Sequence, residues 1–157
     1  MFGILITLSP KRLTVLEEDP ETLLDVVEAR EEQAIPGLLD IGNAWDAIDV
    51  MLSDRGKDPL LGDAVLGRSG RKFGDGSARL LGPARVAEIA KKLDSLPPDH
   101  VATRYSVLVG AKAHANVGAE PDDEEREALQ LLLSRVIALY KDAANQQHSM
   151  LLMLLGT

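Results

Sequence analysis

The chain contains no cysteine. That single absence removes disulfides, thiolate catalysis and cysteine-ligated zinc, and it fits a reducing cytoplasm. Aromatic residues make up only 3% of the sequence: one Trp, two Tyr and two Phe. Most of the core must therefore be aliphatic, and the lone tryptophan, Trp45, is read as an anchor within it. No apolar run reaches the ~20 residues a membrane-spanning helix needs. The two longest runs, Met1–Leu8 and Met150–Leu155, are short enough to be strands. The first lacks the basic flank and small-residue cleavage pattern of a signal peptide. No segment repeats at a fixed period. Basic residues are in deficit, 17 Lys and Arg against 25 Asp and Glu, which gives a formal net charge of −8. A body of that charge repels nucleic acid and anionic membranes, so a basic protein partner is the expected kind.

What is present suits a single domain over residues 1–157, since this length with 45% hydrophobic residues can bury one sizeable core. Ser9-Pro10 and Asp19-Pro20 each offer an N-cap followed by proline, so helices are expected over Lys11–Glu18 and Glu21–Gln33, the second stopped by Pro36-Gly37. Asp40 is read as the cap of a helix carrying Ala44, Trp45, Ile48, Met51 and Leu52 on one face. A polar turn over 53–59 leads to a short apolar piece through Leu66. The glycine-rich stretch Gly67–Ser77 is expected to be an exposed loop and Ala78–Leu81 a short strand. Pro83 opens a helix with Val86, Ile89, Ala90 and Leu93 inward, ended by Pro97-Pro98. A weaker helix follows over Val101–His114. The longest starts near Glu120-Pro121-Asp122 and runs to Asn145, with Leu129, Leu132, Leu133, Val136, Ile137 and Tyr140 inward. Its acidic first turn suits the positive end of the helix dipole. The last strand does not alternate, so it is expected to be buried on both faces.

Several linked motifs resemble one family. Leu38-Leu39-Asp40-Ile41 leads into the Trp45 helix; Asp58-Pro59-Leu60 and Leu66-Gly67 follow. Gly76–Pro83 then runs into a Val86-x-x-Ile89-Ala90 helix, and Tyr140–Ala144 precedes the terminal apolar strand. This order is similar to that of the bacterial YfbM-like family of unknown function 1877 (DUF1877). The resemblance implies a layered α/β/α fold, with helices packed on a small mixed sheet that includes both terminal strands. It implies no activity. The chain departs from the family at Gly42-Asn43, where relatives often carry Asp-Lys, and at Gly76-Ser77, where they often carry Gly-Pro.

Two constellations are candidates for chemistry. The loop Gly67–Gly76 gathers Arg68, Arg71 and Lys72, and with Arg79 beside it could hold an anion, although it matches neither a phosphate-binding P-loop nor a dinucleotide fingerprint. Its plain reading is a solvated connector whose cations contribute little to stability. Asp40, Asp46, Asp49 and Asp58 surround Trp45, and paired carboxylates are the minimum for acid–base work or a magnesium site. Their plain reading is caps, turns and a solvated helix face. His100, His114 and His148 share no metal-ligand spacing, and no Gly-x-Ser-x-Gly nucleophile motif is present. The favoured expectation is a non-catalytic cytoplasmic interaction protein with no cofactor, one version being an immunity-like protein that masks a basic toxin. The alternative is an anion-binding protein or hydrolase-type enzyme. It would use Trp45, Arg68, Arg71, Lys72 and Arg79 to hold the ligand and Asp46 or Asp58 as base.

Overall fold

A computed structural model describes residues 1–110 and 123–156. The chain begins with strand β1 (Phe2–Leu8), then helices α1 (Pro10–Glu18) and α2 (Thr22–Ala29), β2 (Leu38–Gly42), α3 (Trp45–Ser53) and the single-turn α4 (Asp63–Leu66). It continues through β3 (Arg71–Phe73), β4 (Ala78–Leu81), α5 (Pro83–Asp94), α6 (His100–Gly110), α7 (Asp123–Asn145) and β5 (Ser149–Leu155). The strands form one sheet in the order β2-β1-β5-β4-β3. Helices cover both faces, which gives the layered α/β arrangement expected from the sequence. Every neighbouring pair is antiparallel rather than mixed. The cause is the connections, each of which returns the chain to the end of the sheet it left: α1 with α2 between β1 and β2, and the packed α5–α7 pair between β4 and β5.

The terminal strands lie side by side at the centre, with Phe2 opposite Leu155 and Leu8 opposite Ser149. Along β5 the side chains alternate between two cores. Met150 and Leu152 join Leu5, Ile48, Met51, Val86, Ile89 and Tyr140 under α3, α5 and α7. Leu151 and Met153 join Ile4, Ile6, Leu16, Leu23 and Val27 under α1 and α2. The unbroken apolar run of β5 is thus what a strand covered on both faces requires.

Local signals explain several boundaries. Ser9 caps α1 by accepting from the Arg12 N–H at 3.2 Å, with Pro10 in the first turn. α5 starts with Pro83 after an extended Gly82 and ends with Lys91 and Lys92, whose charges suit the negative end of its dipole. Other expectations need correction. Asp40 does not cap α3, whose cap position is Ala44 with no side-chain bond. It sits on β2, where its Oδ1 accepts from the Gly42 N–H at 2.8 Å and its Oδ2 from Arg30 Nε at 3.1 Å. α2 is shorter than expected and takes no side-chain cap from Asp19, which instead ends α1. The stretch 67–77 is not a solvated loop, because Arg71–Phe73 pairs with β4 and Phe73 is buried in the α1–α2 core. The expected continuation of α6 to His114 and the start of α7 near residue 120 lie outside the described residues.

Trp45 packs on the rim of the larger core and is half-buried, its Nε1–H donating to the Met1 carbonyl at 3.3 Å. Replacing a fully buried tryptophan with alanine typically costs about 3–5 kcal/mol. For this rim position we expect Trp45→Ala to cost about 2–3 kcal/mol by chemical denaturation, and a loss below about 1 kcal/mol would show that the ring adds no packing.

Candidate functional site

α3 is nearly all apolar along its inner side, yet Asp49 is also buried there. A buried carboxylate needs a partner, and Arg68 supplies it. The guanidinium of Arg68 forks onto Asp49, Nη1 to Oδ1 at 2.7 Å and Nη2 to Oδ2 at 2.8 Å, while Nη1 also donates to the Gly62 carbonyl at 3.0 Å. Ser53 Oγ adds a third donor to Asp49 Oδ1 at 2.9 Å. Bidentate charge-assisted bonds of this kind are the strong and geometrically specific ones. They raise the Arg68 pKa further, chiefly through the Asp49 hydrogen bonds.

Asp63, at the start of α4, is completely buried. Its Oδ1 accepts from the Ser69 N–H at 2.7 Å, and its Oδ2 accepts both the Ser69 hydroxyl and Arg85 Nε, the latter at 2.8 Å. Burial by itself pushes the Asp63 carboxyl up. The Ser69 and Arg85 hydrogen bonds together with the Arg85 charge outweigh it and hold the carboxyl below its ordinary range. The Tyr140 hydroxyl donates to the Ala64 carbonyl at 2.6 Å, and full burial with Asp63 nearby raises its pKa well above 10. Two ion pairs and a tyrosine therefore pin the chain between 58 and 70 against α3, α5 and α7. Gly67 closes this turn with φ +58°, and a Cβ there would lie 3.0 Å from the Arg79 Cβ and 3.1 Å from the Leu152 side chain. A residue with a side chain would thus meet both strain and contact there.

The structure separates most of the residues singled out by sequence. Arg71 projects onto the α1–α2 face and pairs with Glu17. Asp46 lies 3.7 Å from Arg55, and Asp58 uses its Oδ1 to accept from the Leu60 and Leu61 N–H groups, as a turn residue does. Trp45, Asp46 and Asp58 do not join Arg68 and Arg79 around one cavity; Arg68 and Arg79 do, in a cavity of about 330 Å³. Lys72 stands directly across from Arg79 on the neighbouring strand. Arg68 is not a dispensable loop cation, since its removal would leave Asp49 buried without its charge partner. Asp63, Ser69 and Arg85 are not marked as site residues by sequence, and Tyr140 is marked there only as an inward residue of the last helix; the one available signal was an aspartate inside the apolar run Leu60–Leu66. Half-buried His100 has its Nε2 2.9 Å from the Met51 carbonyl. Among the described residues, no group of three or more histidines and acids is placed to hold a metal, and no helix is long and apolar enough to cross a membrane.

The arrangement is that of an α/β protein whose two terminal strands centre an antiparallel sheet, with two buried carboxylates, each bridged by a partly exposed guanidinium, behind it. The chain belongs to the family described as domain of unknown function DUF1877, which it matches over residues 1–153. Among solved structures it is similar to YfbM from Escherichia coli, a protein of unknown function, with a TM-score of 0.72 at 18% identity, covering 99% of this chain and 100% of that one. At that identity the likeness speaks for the fold. No curated protein matches the sequence.

Proposed function

We propose that this is an interaction protein that engages a basic partner through the α1–α2 layer. The observation that carries the reading is the placement of charge. Between Glu17 and Glu32 lie eight acidic residues and one arginine, a formal −7 against −8 for the whole chain. Glu17, Glu18, Asp19, Glu21, Asp25, Glu28, Glu31 and Glu32 are all exposed. Among them Leu24 and nearby Val15 are more than half exposed, which adds apolar contact to the field. Beside Leu24 a cavity of about 220 Å³ has Leu23, Phe73 and Met153 in its wall and Glu21 and Asp75 in its lining. An apolar wall with two carboxylates suits a lysine or arginine side chain, whose stem is aliphatic and whose head is charged. Ser77 donates to Asp75 and holds that carboxyl below its ordinary range, so it stays ionised. Such a concentrated field speeds and selects association with a basic surface. An immunity-like role against a basic toxin, acting in the cytoplasm, is the concrete form of this reading.

The test compares affinity capture from the native host by the parent and by Glu21→Lys/Asp25→Lys/Glu28→Lys, a surface change expected to leave stability within about 1 kcal/mol. A basic protein retained by the parent, released as salt screens the charges and absent from the variant capture is the expected result. Retention of the same partner by both proteins would refute the reading.

A further inference from the structure

The opposite face of the sheet carries positive charge that nothing in the fold uses. Lys72 and Arg79 are direct cross-strand partners on β3 and β4, so their side chains share one face. Like charges placed this way destabilise a sheet. Neither side chain makes a hydrogen bond or ion pair with any described residue. Arg79 lines the 330 Å³ cavity together with Arg68, Val65, Leu66 and Leu152. Arg68 is held rigid by Asp49, and its three hydrogen bonds leave Nε–H and one Nη2–H without a partner among the described residues. The carboxylates around Arg68 are matched: Asp49 by Arg68 itself, Asp63 by Arg85 and Asp46 by Arg55. Arg79 and Lys72 are left as surplus cations beside an apolar wall.

We propose that this cavity binds a small organic oxyanion, a carboxylate or phosphate carrying a short apolar group. Arg79 and Lys72 hold the charged end, with Arg68 as a fixed third donor. Val65, Leu66 and Leu152 receive the apolar end. The volume lies within the usual range for small-molecule sites, and the mixture of apolar wall and few polar anchors is what such sites show. This site lies across the sheet from the α1–α2 layer, so either reading can fail without the other.

Phenyl phosphate, hexanoate and inorganic phosphate, titrated separately into the full chain and followed by amide NMR shifts and calorimetry, provide the test. The two organic anions should saturate, shift amides of residues 66–68, 77–79 and 152–154, and bind at least about tenfold more tightly than inorganic phosphate, a factor worth about 1.4 kcal/mol. Arg79→Gln should weaken them at least about tenfold, Lys72→Gln should weaken them measurably, and Arg71→Gln, on the other face, should change nothing. Lys72 sits on an exposed edge strand, so its variant carries the comparison if Arg79→Gln does not fold. Absence of saturation, shifts confined to other residues, equal affinity for inorganic phosphate or unchanged binding in a folded Arg79→Gln or Lys72→Gln would each overturn the proposal.

Discussion

A chain lacking Met150–Leu155 is expected to be insoluble or to show no cooperative unfolding transition. β5 is the middle strand of five and pairs along its whole length with β1 and along β4 with the other. Its removal splits the sheet into β2-β1 and β4-β3, and isolated strand pairs are marginal in water at best. It also takes Met150 and Leu152 from one core and Leu151 and Met153 from the other, each a buried side chain contributing roughly 1.5–3 kcal/mol. The four side chains alone amount to roughly 6–12 kcal/mol, comparable to the 5–15 kcal/mol by which a domain is usually stable, and the broken strand pairing adds to that loss. Expression of the truncated chain followed by a urea melt decides the matter: a soluble product with a sharp transition would mean the two remaining strand pairs are self-sufficient.

Asp63→Asn is expected to cost about 3 kcal/mol at neutral pH, in the range found when one partner of a buried ion pair is removed. The amide cannot accept from Ser69 and Arg85 with the strength of a carboxylate, and its NH2 group would face donors. The pH dependence gives a sharper check. Because the folded carboxyl sits below its ordinary value of 3.8, the stability it contributes is complete above that unfolded value and is lost as the pH falls through the lower folded one. Parent and variant should therefore differ fully at pH 7 and begin to converge as the pH drops below about 4, where the unfolded chain takes up the proton first, the gap closing only below the lower folded value. Urea midpoints measured from pH 7 to pH 3 would contradict this assignment if the gap stayed constant.

The parts of the fold that could be read beforehand are those whose signal is local. Ser9-Pro10, Pro83 and the long apolar stripe of α7 mark their helices, and the unbroken Met150–Leu155 run marks a strand buried on two sides. β2 escaped because Leu38–Gly42 is five residues long and exposes Asp40, which by itself resembles a cap. β3 escaped because only Phe73 of its three residues is apolar; the strand exists through its pairing with β4. The site was legible in fragments. Arg68 and Arg79 were seen as cations near one another, but the burial of Asp49 depends on a guanidinium nineteen positions away, and that of Asp63 on Arg85 of a different helix. Sequence spacing carries no trace of either partnership, so Asp49 passed for a solvated residue of the Asp46 face.

The adjacency of the first and last strands bears on how the chain is made. The pairing of Phe2 with Leu155 closes nearly the longest loop this sequence allows, and contacts so distant along the chain slow the search for the native state. During synthesis β1 leaves the ribosome long before β5, with one edge for β2 and the other waiting for that distant partner. Its apolar residues Ile4, Leu5 and Ile6 must stay out of aggregates throughout that interval. The sheet cannot close until β5 has been made, and β1 carries an unpaired edge until then.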